Sequence, residues 1–398
     1  MLGLHLDASR LGEWSLWPLS VAYRLGEIAT APFTAVAGVS VALVDGQYTL
    51  LHYAVRFGAA ALVYGTAASL VWQALSRRRV RMRATPPVEV SRREFVARAG
   101  LAAVGIAGTG CAVWPTGIEP YRLTVRRYDA PIRGLPAELD GLRLVHLSDT
   151  HHGPYNPLSL IRRAVEMASA EGADLAVFTG DYVHRTPLAF DRGLGIFTEL
   201  QTRHGAVAVL GNHDHWEGAD ACRRRMAELD LPLLDNGRLW LTPEGLRDTE
   251  VPGRSLALVG VADIVEDTPD PWGACRDVSG SCPRLLLCHN PDGAEAFPAT
   301  GRALRVDLQL SGHTHGGQVC RPGGEPFIIP GESGFKYAGG WVEGPAWPVI
   351  VSRGVGMTIA PVRLAARPEI GVITLRRGSG PAARRSAPPA RGSRGSRA

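Results

Sequence analysis

Two patterns of apolar and polar positions divide the chain. The first quarter holds long apolar stretches. Residues 28–44 and 57–75 carry no charge, and the second is long enough to cross a bilayer, which takes about 20 residues. A third stretch, 99–115, is rich in Gly and Ala. From Tyr121 onward the apolar runs shorten and alternate with helical periodicity. Residues 142–147, 174–178, 206–210, 256–261, 284–288, 306–310 and 349–352 read as strands. Residues 158–170 and 218–229 read as helices. Strands alternating with helices predict an α/β architecture.

The flanks of the long stretches add a direction. Arg77, Arg78, Arg79, Arg81 and Arg83 follow the second stretch, which marks that side as cytoplasmic. Ser91-Arg92-Arg93-Glu94-Phe95-Val96 precedes the third and resembles a twin-arginine export signal. The alternative is a third membrane helix with ordinary basic flanks. Both place everything after Trp114 outside the cytoplasm. Packing of the same stretches in a soluble core is the remaining option, and the charge asymmetry speaks against it. The expected organisation is a membrane region over 1–115, a catalytic domain over 116–376 and an unstructured Arg/Gly/Pro/Ser tail over 377–398.

Charge narrows the substrate. The whole chain is +5, but the positive excess sits in the first 115 residues and in the tail, which carries seven arginines from Arg376 on and no acid. The middle is therefore acidic, so a nucleic-acid partner is not expected. Acidity suits a protein that holds cations. The six cysteines form no Cys-x-x-Cys pair, which argues against a zinc ribbon. Cys275 and Cys282 flank a short loop and are either a disulfide or two free thiols.

Polar residues recur where the predicted strands end, the usual place for ligands in α/β sheets. They are Asp149-Thr150-His151, Gly180-Asp181, Gly211-Asn212-His213-Asp214, Cys288-His289-Asn290-Pro291-Asp292 and Gly312-His313-Thr314-His315-Gly316-Gly317-Gln318. In extended chain, residues i and i+2 point the same way, so Asp149 and His151 are expected to face one ion, and His313 and His315 repeat that spacing. Cys288 is expected to point the other way, into the core. Asp149, His151, Asp181, Asn212, His289, His313 and His315 are too many donors for one tetrahedral ion. They suit two divalent ions, Mn, Zn or Fe by donor type, sharing one carboxylate. Two ions about 3.5–4 Å apart clamp a phosphoryl group and acidify a water. No single motif is specific; their joint occurrence in this order is.

That series resembles the calcineurin-like metallophosphoesterase superfamily. More narrowly, it is similar to its bacterial membrane-associated branch typified by YkuE and YaeI. The branch shares the Cys-His-Asn-Pro-Asp and Gly-His-Thr-His-Gly-Gly-Gln runs and the late run from Ser352 to Gly356, with Pro361-Val362-Arg363 and Arg367-Pro368-Glu369-Ile370 after it. The resemblance implies a four-layer α/β/β/α sandwich with the metals at one edge. One ion would take Asp149, His151 and His315, the other Asn212, His289 and His313, with Asp181 bridging. His213 would protonate the leaving group, and Asp214 would orient His213. Many relatives carry a second Asp where this chain has His184. His152, His184 and His215 are expected at the rim, more as solvent-facing residues than as substrate contacts. Arg353 is either a phosphate contact or a structural ion-pair partner.

The implied reaction is in-line attack on phosphorus by a hydroxide bridging the two ions. The serines near the motifs lack a base at a suitable position, so a serine nucleophile is not expected. The expected substrate is a phosphodiester or pyrophosphate, lipid-linked if the anchor serves to concentrate it. Alternatives are a UDP-2,3-diacylglucosamine-type pyrophosphatase of lipid A synthesis and a non-enzymatic, metal-stabilised membrane receptor. A metal-dependent amidase or peptidase fits an Asn ligand and a Gly-Asn-His-Asp run less well. The oligomeric state is not legible.

Overall fold

The computed structural model describes residues 92–93, 100, 113–153, 155–184, 190–378 and 384–385. The expected membrane segments 28–44 and 57–75, and most of 99–115, lie outside the described residues. Among the described residues no helix is long and apolar enough to cross a membrane. The chain divides into two units, 1–110 and 111–398, and the second is described here.

Its elements run β1 (Thr124–Arg133), β2 (Arg143–Leu147), α1 (Leu158–Ser169), β3 (Leu175–Thr179), α2 (Phe190–Gly195), β4 (Ala206–Val209), α3 (Asn212–Glu228), β5 (Gly237–Thr242), β6 (Gly245–Arg247), β7 (Leu256–Gly260), α4 (Pro271–Ala274), β8 (Arg284–Leu287), α5 (Gly293–Ala299), β9 (Leu308–Ser311), β10 (Gly340–Glu343), β11 (Pro348–Val351), β12 (Glu369–Gly378) and β13 (Arg384–Arg385). They build two mixed sheets, ordered β13-β1-β12-β2-β3-β4 and β10-β11-β9-β8-β7-β5-β6. β2, β3 and β4 run parallel, as do β7, β8, β9 and β11. Parallel strands send their carboxyl ends to one edge, and this is what gathers the polar motifs.

The layering follows from period-two alternation. Leu144, Leu175, Val177, Leu285, Leu287, Leu308 and Leu310 point inward, sheet against sheet. Val145, Leu147, Ala176 and Phe178 point outward beneath α1, whose Leu160, Ile161, Ala164, Val165 and Ala168 recur at helical spacing. On the far side Val259, Leu286 and Cys288 meet Ala294 and Phe297 of α5. The order is helix, sheet, sheet, helix. Each buried leucine of the inter-sheet layer stabilises it by roughly 1.5–3 kcal/mol.

Two expectations change and one open alternative is resolved. Helix α3 starts at Asn212, six residues before the expected 218, because the Asp214 carboxylate accepts the Gly211 N–H at 2.9 Å and caps the first turn; the kink falls at Gly218. Cys275 and Cys282 are free thiols, and Cys282 Sγ turns to the Ser255 carbonyl at 3.5 Å. The tail expected from 377 keeps β12 to Gly378 and returns as β13, pairing Arg384 with Asp129 and Arg385 with Tyr128. A low apolar content argues against core burial and leaves backbone pairing available. The rest of the tail lies outside the described residues.

Candidate metal centre

Five strand ends supply the site. β2 runs out into Asp149 and His151, β3 into Asp181, β4 into α3 with Asn212 at its first position, β8 into His289, and β9 into His313 and His315. The seven expected donors come together.

The local backbone is not the extended one the spacing suggested. Asp149, His151, Asp181, His313 and His315 have φ of 53°, 44°, 58°, 69° and 51°, in the left-handed region that non-glycine residues seldom adopt. Pairing between chain segments holds them there. Asp149 N–H donates to Gly180 O at 3.0 Å and His151 N–H to Asp181 O at 2.9 Å, so β2 and β3 stay tied beyond their ends. His313 N–H donates to Asp149 Oδ1 at 2.9 Å. Gly211 is required where it is, because a Cβ there would overlap the Asp181 carboxylate.

The donors fall into two groups. Asp149, His151 and His315 form one, and Asp181, His289 and His313 the other. In the first, His151 Nε2 is 2.9 Å from His315 Nε2, which is 3.4 Å from Asp149 Oδ1. In the second, His313 Nδ1 is 3.0 Å from Asn212 Oδ1. Asp181 Oδ2 touches both groups, at 3.4 Å from His151 Nε2 and 3.2 Å from His289 Nε2. Its other oxygen accepts the His213 N–H at 2.9 Å. His289 Nδ1 donates to Thr179 O at 2.6 Å, which turns Nε2 to the site; that buried nitrogen faces Asp181 without making a hydrogen bond.

Electrostatics tests whether cations fit. Burial pushes Asp149 up to about 7, and the Asp181 charge adds to it. Burial and then Asp181 push Asp214 up to about 8. Burial opposes ionisation of Asp181 too, but His289 and His213 outweigh it and hold its carboxyl well below the usual range. For His289 burial works downward, and the Asp181 charge overrides it to give about 10. Burial holds His151 and His315 neutral, with lone pairs available. Crowded carboxylates facing buried imidazoles are what divalent cations relieve, so the donor set fits divalent metal.

The remaining candidates sort differently. Asp214 does not orient His213. It is fully buried and accepts the N–H groups of Asp181 at 2.8 Å, Tyr182 at 2.9 Å and Gly211. Successive helix residues diverge by about 100°, which turns the Asp214 carboxylate away from the His213 ring. Asp214 fixes the Asp181 turn instead. His152 and His184 are buried rather than solvent-facing; His152 Nδ1 lies 3.1 Å from Asn156 O. His215 Nε2 is 3.9 Å from Asp267. Arg353 lies 3.5 Å from Glu369, as an ion-pair partner.

Three supporting residues escaped sequence reasoning. Arg363 is fully buried, held down to about 10 by burial, and its Nη2 lies 3.3 Å from His315 Nδ1. Asn156 donates to His151 O and Met357 O and accepts the Met357 N–H, all at 2.8 Å. Asp263 is buried just past β7 and accepts the N–H groups of Val265 and Glu266. Asp263 carried a signal in its place at a strand end and Arg363 one in the Pro361-Val362-Arg363 run; Asn156 carried none.

Comparison with known proteins agrees with this geometry. Residues 142–317 match the family described as Calcineurin-like phosphoesterase, a range that contains all seven donors. The chain is 30% identical over 296 residues to the uncharacterized metallophosphoesterase YkuE of Bacillus subtilis, covering 72% of this chain and 98% of that one. It is 31% identical over 242 residues to the phosphodiesterase YaeI of Escherichia coli, covering 58% and 82%. It is 27% identical over 251 residues to the UDP-2,3-diacylglucosamine pyrophosphatase LpxG of Chlamydia trachomatis, covering 53% and 74%.

Proposed function

Because the chain belongs to the calcineurin-like metallophosphoesterase family, we propose that it hydrolyses a phosphodiester or pyrophosphate with two divalent ions at the edge of its paired sheets. The observation that carries this is Asp181, whose Oδ2 lies between His151 Nε2 and His289 Nε2. Asp149, His151 and His315 would hold one ion; Asn212, His289 and His313 the other, with Asp181 shared. Bound ions would supply Lewis acidity to a water and to the phosphoryl oxygens. The chain's own groups do the rest. His213, at the first turn of α3, would give a proton to the leaving oxygen. Asp214 and Arg363 keep the ligand turns fixed while charge moves.

A lipid-linked substrate is the finer reading. The likeness to LpxG supports it, as do exposed apolar side chains on the segments that follow His315, namely Phe327, Ile328, Ile359 and Leu364. The Leu364 N–H donates to Gln318 O at 2.9 Å, which ties two of those segments together. With 1–115 as a membrane region and 116–376 as the catalytic domain, the active edge would face the envelope outside the cytoplasm. A nucleotide lipid made and used in the cytoplasm would then be out of reach, so another envelope phosphoester is favoured.

The test is hydrolysis of bis(p-nitrophenyl) phosphate by the purified full chain, metal-free and after adding Mn or Zn, with Asp181→Ala as control. Metal-dependent hydrolysis lost in the variant is the expected result. A folded protein that binds two ions and hydrolyses no phosphodiester or pyrophosphate would favour the receptor reading.

A further inference from the structure

His184 has no part in the reaction as described so far, yet the fold places it against the residue expected to handle the proton. It sits on the turn that carries Asp181 and is buried. Its N–H donates to the His152 carbonyl at 2.9 Å, and the neighbouring Val183 bridges to His152, so the turn is pinned to the Asp149–His151 loop. Its ring lies 5.0 Å from that of His213, and the two Nδ1 atoms are 3.1 Å apart. That is hydrogen-bond distance, so one Nδ1 carries a hydrogen and the other accepts it. His151 and Trp216 meet the same His213 ring edge-on, at 4.6 and 4.4 Å. The His213 ring is thus boxed by three rings and fastened to one of them by a polar contact.

Proton transfer decides the direction of that contact. A histidine that gives up a proton from one nitrogen must keep a hydrogen on the other, since an imidazole with none is too basic to form near neutral pH. The retained hydrogen needs an acceptor. The shape of the His213 environment offers one at Nδ1. Nitrogens of His151, His184 and His213 also lie within 4.8 Å of one another, but no carboxylate joins them, which makes a third cation there the poorer use of the geometry.

We infer that His184 is a positioning residue for the leaving-group step: its Nδ1 accepts the Nδ1–H of His213 and so commits Nε2 of His213 to the substrate. This rests on the reading of His213 as the proton donor. In the step, the oxygen of a water bonds to phosphorus and the bond from phosphorus to the leaving oxygen breaks. The leaving oxygen takes the proton from His213 Nε2, the water's proton passes to solvent, and His213 keeps the hydrogen it shares with His184. His213 is then recharged from solvent.

Two substrates that differ only in the leaving phenol separate this role from a structural one. Methyl p-nitrophenyl phosphate expels a stable anion and needs little help; methyl phenyl phosphate needs a proton. The full chain would be compared with His184→Phe, which keeps a flat ring without an acceptor, His184→Asn, whose side-chain oxygen stands close to where Nδ1 was, and His213→Ala. His184→Phe is expected to lose about 100-fold in kcat on the phenyl ester, the scale of a misplaced catalytic group, and about threefold or less on the nitrophenyl ester, with KM unchanged. His184→Asn should recover most of the loss. Histidine side-chain ¹⁵N–¹H spectra of the metal-free protein give a second readout: the hydrogen between the rings should be on His213 Nδ1, and the tautomer preference should vanish in His184→Phe. Equal losses on both esters in His184→Phe, with His213→Ala still discriminating between them, would overturn the inference. So would a hydrogen found on His184 Nδ1. Equal losses in His213→Ala itself would instead remove the premise.

Discussion

The two sheets bring different chemistry to one edge. The first supplies both carboxylates and the amide, Asp149, Asp181 and Asn212, with His151. The second supplies imidazoles alone, His289, His313 and His315. Neither half is a good cation site by itself. Buried carboxylates without a counter-charge repel, and a row of imidazoles lacks negative charge. The centre exists because the inter-sheet layer presses one half against the other. Metal affinity should therefore report on sheet packing as well as on ligand identity.

The sharpest way to break that picture is to remove the shared residue. Asp181→Ala should lower turnover by roughly a thousand-fold and reduce bound metal, because both groups lose a partner; His313→Ala should spare the Asp149 group. Metal analysis alongside phosphodiester assays would separate the two. A packing change probes the same idea without touching a ligand. Leu287→Ala on the inter-sheet face and Leu286→Ala on the outer face of the same strand should each cost about 2–5 kcal/mol in urea unfolding. Only the inner one is expected to weaken metal binding in calorimetric titration. Equal effects on affinity would undo the link between packing and the site.

Asp214→Ala leaves three backbone N–H groups without an acceptor and should lose about 3 kcal/mol. Activity should fall through the displaced Asp181 turn, visible as lost metal rather than as a changed leaving-group dependence. The smallest effect is expected from His146. It is buried on β2 with Nε2 2.8 Å from Thr179 Oγ1, and burial holds it down to about 3. The unfolded chain takes up that proton near 6.5, so stability falls as pH drops from there toward 3 and is whole above it. His146→Gln should shift the acid unfolding midpoint, followed by circular dichroism, to lower pH.

Much of this was legible in advance, and for a physical reason. A buried parallel strand is a short apolar run, and its end is where polar residues begin, so β2, β3, β4, β8 and β9 announced themselves with their donors attached. β1 did not. Arg126, Arg127, Asp129 and Pro131 interrupt it, and only Tyr128, Ala130 and Ile132 alternate inward. The start of α3 was hidden because its cap, Asp214, looked like part of the chemistry. The errors at the site share one cause. Asp214, His184 and Arg363 make contacts with segments far away in sequence, and spacing along the chain does not reveal those. The extended geometry assumed for Asp149 and His151 failed because tertiary hydrogen bonds outweighed the local preference.

The left-handed backbone at five candidate ligands has a consequence for anyone who would transplant this centre. Each such residue is held against an intrinsic preference of order 1 kcal/mol. An excised Gly-His-Thr-His peptide would spend little time in the shape seen here, and a scaffold copied for its side-chain positions alone would let its ligands relax away. What must be grafted is the restraint: paired strand ends, a glycine where two turns meet, and buried acceptors that hold the turns closed before any ion arrives.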